Sequence, residues 1–261
     1  MRLSPFGLLD DWLAPAPAEK KVGWLRGATY AHRGLHSPGV PENSPAAFAA
    51  AMARGLGIEC DVQRSGDGRA MVFHDWELDR LTGETGPVHA RTAAELGGIA
   101  LSGGEDTIPS LRQVLAQVGG SVPILIEVKS RRDSPVAALA LAVRRELEGY
   151  RGPHAVMSFD PRVSRWFARH SPETVRGLVI TQQNDGGGIR RLRGNFRRHL
   201  SLWHAMPDFL AYDIRDLPSR FAAAQRARGL PITSWTVKTP ELLQRAGIHA
   251  DAPIAEGAGA A

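Results

Sequence analysis

The chain has 261 residues, 43% hydrophobic and 23% charged, which suits one barrel-sized globular domain with a full core and excludes a disordered or fibrous chain. A formal net charge of +5 and a pI near 9.9 favour anionic partners such as phosphate esters, nucleic acid or acidic lipid. The lone Cys60 excludes an internal disulfide, no run approaches the roughly eighteen apolar residues of a membrane span, and the N-terminus lacks a signal-peptide core. A cytoplasmic protein without a transmembrane segment is therefore expected.

Apolar, β-rich runs lie at 28–32, 57–62, 123–128, 155–159, 175–180, 209–213, 231–237 and 248–254, with helix-like segments between them at 45–54, 136–148, 162–169, 217–228 and 240–246. Eight alternating β and α units predict an α/β fold, a (β/α)8 TIM barrel. A ninth strand-like run, 69–73, follows 57–62 after only Gly66-Asp67-Gly68, a turn that joins antiparallel strands. It is expected to form a hairpin above the barrel, with partners summing to about 134 to 136, so that His74 returns opposite Asp61. Residues 76–109, rich in turn signals, read as a small insertion after the second strand, before the barrel resumes at Ser110. The whole of 1–261 is read as one domain, with fraying at 14–20 and 256–261.

From Gly186 to Pro207 there is no acidic residue, while Arg190, Arg191, Arg193, Arg197 and Arg198 crowd together. Ile189, Leu192, Phe196, Leu200 and Trp203 recur at steps of three and four and predict the buried face of an amphipathic barrel helix, the arginines facing water. Contact with a lipid surface is the competing reading. No nucleic-acid motif accompanies the arginines.

Glu59 and Asp61, two apart on one strand, project from one face and can share a cation. Glu127 and Lys129 share a face of the third run. Carboxylate oxygens suit hard cations such as Mg2+ or Ca2+. Cys60, between the two carboxylates, should point into the helical layer as inert core. His32 ends the first strand, the edge from which barrel enzymes build their sites. Arg33 offers a planar fork and Lys129 a point charge for phosphate oxygens.

These residues fall in an ordered set: His32-Arg33-Gly34, Glu42-Asn43-Ser44, Ala47-Phe48, Glu59-Cys60-Asp61-Val62, Asp67-Gly68, His74-Asp75 and Glu127-Val128-Lys129, with weaker echoes at Ile108-Pro109-Ser110-Leu111, Met157-Ser158-Phe159 and Ser234-Trp235-Thr236-Val237. The set resembles the glycerophosphodiester phosphodiesterase family over nearly the whole chain. The resemblance implies a metal-dependent phosphodiesterase releasing glycerol 3-phosphate and an alcohol. It makes Glu59, Asp61 and Glu127 the ligands of one divalent cation, Mg2+ or Ca2+, and His32 and His74 the general base and acid. Arg33 and Lys129 would bind the substrate phosphate, with Phe159 and Trp235 as an apolar wall or as core. Glu42 and Asn43 read locally as helix capping, and the resemblance makes them braces of the site.

Lys238 stands where the family often has asparagine, and the run 250–254 matches its final strand loosely. His36, His89, His154, His170, His199, His204 and His249 read as surface or helix-end residues. A lysophospholipase D or a cyclising phospholipid phosphodiesterase is the nearest rival, although the cyclising lyases usually carry aspartate at the position of Glu127 and a distinctive tail that this chain lacks. A non-catalytic phosphate or lipid binder is the rival of another class, opposed by the complete set of carboxylates and histidines.

Overall fold

A computed structural model describes residues 5–131, 135–183 and 189–260, the side chains of 5 and 189–191 excepted. Eight parallel strands close a barrel: β1 (Tyr30–Ala31), β2 (Gly57–Arg64), β4 (Ile124–Val128), β5 (His154–Ser158), β6 (Val175–Ile180), β7 (Phe209–Asp213), β8 (Ile232–Val237) and β9 (Ala252–Ala255). They follow that order around the barrel, and β1 pairs with both β2 and β9 to close it. Strand β3 (Ala70–Val72) runs antiparallel on β2 outside the parallel ring. This is the TIM barrel the sequence predicts.

The helices are α1 (Pro5–Leu13), α2 (Glu19–Val22), α3 (Pro45–Ala53), α4 (Ala93–Gly97), α5 (Leu111–Val118), α6 (Val136–Glu146), α7 (Pro161–His170), α8 (Ile189–Ala205), α9 (Arg220–Ala227) and α10 (Pro240–His249). Strand alternation sorts the core into layers. Ile58, Cys60, Val62, Ile124, Ile126 and Val128 point outward and pack with Val114 and Phe167 of the helices. Leu125, Ala155, Met157, Val179, Phe209 and Ala211 fill the interior, plugged below by Val22 and Leu25. Packing there is tight: a Cβ on Gly177 would sit 2.4 Å from the Phe209 ring, so only glycine fits.

The hairpin register is Val62↔Val72, Gln63↔Met71 and Arg64↔Ala70, each pair summing to 134, within the expected range. Between the hairpin and Ser110, the N-cap of α5, the chain builds its own cluster from Leu78, Val88, Leu96, Leu101 and Ile108 over Met71 and Phe73.

Three expectations need correction. In α8, Leu192, Phe196 and Leu200 are exposed and Trp203 is half-buried, whereas Gly194, His199, Leu202 and Ala205 face the fold. The side chains of Ile189, Arg190 and Arg191 lie outside the described residues. Periodicity locates an apolar stripe, but small residues let the opposite side of the helix approach the barrel. His199 is accordingly no surface residue, for it is buried against Asp10 at 2.9 Å and stacked on Phe6. The described residues of the segments read as fraying, 14–20 and 256–260, are packed too: Ala14 is fully buried, and Gly257–Gly259 forms a 3-10 turn packed on Val237.

Candidate active site

Glu59 and Asp61, inward on β2, and Glu127, near the end of β4, are all buried. Parallel register sets Asp61 beside Glu127, and ligand oxygens of the three residues lie within 4.8 Å of one another. Burial pushes the Glu59 carboxyl well up, reinforced by the charges of Asp61 and Glu127. Asp61 is instead held low despite its burial, by Lys129 first and then Arg33. Lys129 Nζ bridges Asp61 and Glu127 at 2.9 Å each, and Arg33 Nε lies 3.2 Å from Asp61 without a hydrogen bond. Two cations against three buried carboxylates leave a deficit of positive charge. An oxygen-preferring divalent cation fits this donor set, and Cys60 faces the other way.

A strained turn delivers Arg33. Its φ of 57° lies in the left-handed region, as does that of Asn43, also 57°. The Arg33 N–H donates to Glu59 at 3.1 Å, and the Asn43 N–H donates to the Arg33 carbonyl at 2.8 Å, holding both residues there. Gly34 follows at φ 78°, where a Cβ would collide with Ala47 at 2.8 Å. The capping expectation for Glu42 and Asn43 is corrected. Ser44 caps α3 by accepting from the Ala47 N–H, while the Asn43 amide donates to Asp61 and accepts from its backbone N–H. Glu42 accepts from Arg33 at 2.7 Å and from Arg80 at 2.8 Å.

The two histidines flank the carboxylates. His32 extends β1, and because β1 and β9 are in register at Ala31↔Ala255, the next residue of each strand meets the other: His32 Nδ1 is 2.6 Å from Glu256. His32 Nε2 points inward, 4.0 Å from Glu59. Glu256 also holds His36 at 3.7 Å and Lys238 Nζ at 2.6 Å, and hydrogen bonds with His32 first, then with His36 and Lys238, keep its carboxyl far below the usual range. Sequence reasoning missed Glu256. The available signal was an acid one residue beyond the last barrel strand, on the catalytic edge. The hairpin brings His74 to the opposite side, its Nδ1 2.6 Å from Asp75, which is itself clamped by Arg80. Gln63, also unforeseen, donates to the carbonyls of Phe73 and Asp75 and fixes the segment bearing His74. Burial lowers the His74 pKa against the pull of Asp61, with Lys129 and Arg33 lowering it further.

All seven of His32, Arg33, Glu59, Asp61, His74, Glu127 and Lys129 line one cavity of about 150 Å³. Phe159 and Trp235 also line it, edge to face with centroids 5.3 Å apart, and Trp235 packs partly buried against the interior core. Phe159 is 48% exposed, which removes the core reading for that ring. Glu42 and Asn43 stay behind the cavity, touching Arg33 and Asp61.

A TIM barrel that gathers three buried carboxylates, two histidines, an arginine and a lysine in one cavity at the ends of its strands is the class of protein that the fold and site define. Within that class, the model of the glycerophosphoryl diester phosphodiesterase family matches residues 32–252, and the chain belongs to that family. A glycerophosphodiester phosphodiesterase of Caldanaerobacter subterraneus is 41% identical over 108 residues, 38% of this chain and 44% of that protein. The chain thus aligns with less than half of that relative's length. The crystal structure of a Thermotoga maritima glycerophosphodiester phosphodiesterase superposes with a TM-score of 0.68 at 26% identity, over 87% of this chain and 94% of that one. An Oleispira antarctica phosphodiesterase, solved with the product sn-glycerol-3-phosphate, has the same fold at a TM-score of 0.75 and 23% identity, covering 88% and 93%.

Proposed function

We propose that the protein hydrolyses glycerophosphodiesters to glycerol 3-phosphate and an alcohol. The supporting observation is the pair of carboxylate-backed histidines on opposite sides of one small cavity that also holds Arg33, Lys129 and the three carboxylates. Arg33 and Lys129 bind the phosphoryl oxygens and stabilise the charge that gathers on them. Glu256 accepts the Nδ1 proton of His32, leaving Nε2 as general base toward the attacking hydroxyl or water. His74, oriented in the same way by Asp75, protonates the leaving alkoxide from Nε2, and a pKa lowered by burial makes it a readier donor. Glu59, Asp61 and Glu127 would hold one divalent cation, Mg2+ or Ca2+, which when bound supplies Lewis-acid charge to the phosphate.

Phe159 and Trp235 give the glycerol or alcohol an apolar wall. A cavity of about 150 Å³ suits a glycerol-sized group better than a lysolipid chain. Glu42 and Asn43 hold Arg33 and Asp61 in place. The barrel acts as one catalytic domain with 76–109 as an excursion beside His74. A free buried Cys60 suits a reducing compartment such as the cytoplasm, and among the described residues no helix is long and apolar enough to cross a membrane.

The test is release of glycerol 3-phosphate from a panel of glycerophosphodiesters, with lysophospholipids in parallel, before and after EDTA and after Mg2+ or Ca2+ is restored. Turnover of glycerophosphodiesters that chelation abolishes supports the reading. Full activity in EDTA sinks the cation's role, and cleavage of lysophospholipids alone moves the assignment to the lipid-cleaving rival.

A further inference from the structure

We propose that the outer faces of α1 and α8 form a docking surface for an anionic lipid bilayer. Leu8, Trp12 and Leu192 are 70%, 78% and 72% exposed, and Leu9, Phe196 and Leu200 are also out in solvent. Scattered apolar residues are ordinary on a surface, but these belong to two helices packed side by side, with the Phe6 ring 6.4 Å from that of Phe196. Along α8 the adjoining stripe is basic: Arg193 and Arg197, one turn apart, are exposed. Among the described residues no carboxylate pairs with either.

The acids of α1 do not neutralise this stripe. Asp10 is buried, accepting from Trp203 and Gln225 at 2.7 Å each, and Asp11 pairs with Arg228 at 2.7 Å. Charge complementarity therefore selects an anionic occupant. A second copy of this chain would bring arginine stripes together. The surface is the outer side of two adjacent helices, and an exposed tryptophan beside leucines and arginines is the combination that seats a helix at the headgroup level. Each arginine near such a surface strengthens binding roughly fivefold, and each buried Leu, Phe or Trp by more than about tenfold.

The full chain is mixed with phosphatidylcholine vesicles with and without a phosphatidylglycerol fraction, and the bound fraction is measured by co-sedimentation against rising sodium chloride. Binding should require phosphatidylglycerol and fall steeply with salt. Arg193→Gln with Arg197→Gln, and separately Trp12→Ser with Leu192→Ser, should each lower it by at least about tenfold. Hydrolysis of a soluble diester and the thermal midpoint should stay unchanged in both variants, since all four residues lie on the surface away from the cavity. The proposal is overturned by absence of binding at low salt, by equal binding to neutral vesicles, or by binding that both variants retain. It is equally overturned by a dimer that the same substitutions abolish while no vesicle binds. Vesicle binding is read without turnover, so it fails or holds independently of the proposed hydrolysis.

Discussion

His32 and His74 each commit Nδ1 to a carboxylate, but their surroundings differ. His32 rests on Glu256, a hub that also holds His36 and Lys238, whereas His74 sits at a hairpin end beside Lys129 and Arg33. A general acid matters most for a poor leaving group, since an alkoxide needs a proton and a nitrophenolate does not. His74→Ala should therefore slow natural alkyl diesters by about 10² to 10⁴-fold while a p-nitrophenyl diester suffers much less; His32→Ala should damage both comparably. Steady-state kinetics on the two substrates decides it, and the reversed pattern would exchange the roles. Asp75 carries a pH signature of its own. Hydrogen bonds from Arg80, then His74, hold its carboxyl down to about 2. A folded-state pKa below the unfolded value of about 3.9 means that its contribution is complete above that value and is lost as pH falls through the folded one. The thermal midpoint should drop between about pH 4 and pH 2, and Asp75→Asn should remove that part of the drop, worth about 1 kcal/mol or less after solvent screening. An unaltered acid limb in Asp75→Asn would refute the linkage.

The β2–β3 hairpin turns a strand register into the placement of His74, the proposed general acid. Glu59, Asp61 and Gln63 share the inner face of β2: the first two stand among the carboxylates, while Gln63 ties down the carbonyls on either side of His74. Gln63→Leu should thus lower kcat for alkyl diesters by about 10-fold or more with little change in KM, as expected when a catalytic group is misplaced. The p-nitrophenyl diester should be nearly spared. Equal losses on both substrates would mark Gln63 as merely structural. The hairpin was legible in the sequence because a Gly-Asp-Gly turn and two-residue alternation fix both direction and register. The carboxylate faces and the outward Cys60 were legible for the same reason. What escaped depended on contacts between distant segments. Glu256 meets His32 only because the barrel closes, so the tail that looked frayed is part of the site. Ser44, not Glu42 or Asn43, caps α3, because a left-handed Asn43 turns its amide toward Asp61. The face of α8 was misread because an apolar stripe shows where a helix could be buried, not which side the barrel covers.

At the scale of the whole molecule, barrel closure sets three carboxylates from two adjacent strands against one another in a buried space, and much of their repulsion is left for a cation to relieve. Lys129 and Arg33 offset part of it, yet the Glu59 carboxyl is still driven upward by burial and by its two neighbours. A cation held by Glu59, Asp61 and Glu127 would cross-link β2 to β4 as well as neutralise charge, so its binding belongs to the stability of the fold. A ligand at about one hundred times its dissociation constant stabilises a native state by roughly 2.7 kcal/mol, which in a barrel of this size raises the thermal midpoint by about 5 to 10 °C. Melting the EDTA-treated protein in Mg2+, Ca2+ or neither should show that increment, saturating with metal and absent with sodium at equal ionic strength. Glu127→Gln removes one ligand while keeping the shape of the side chain, so the variant should fold and require far more metal to reach the same midpoint. A midpoint indifferent to divalent cations, or an increment that Glu127→Gln leaves intact, would place the cation elsewhere and leave the three buried carboxylates to Lys129 and Arg33 alone.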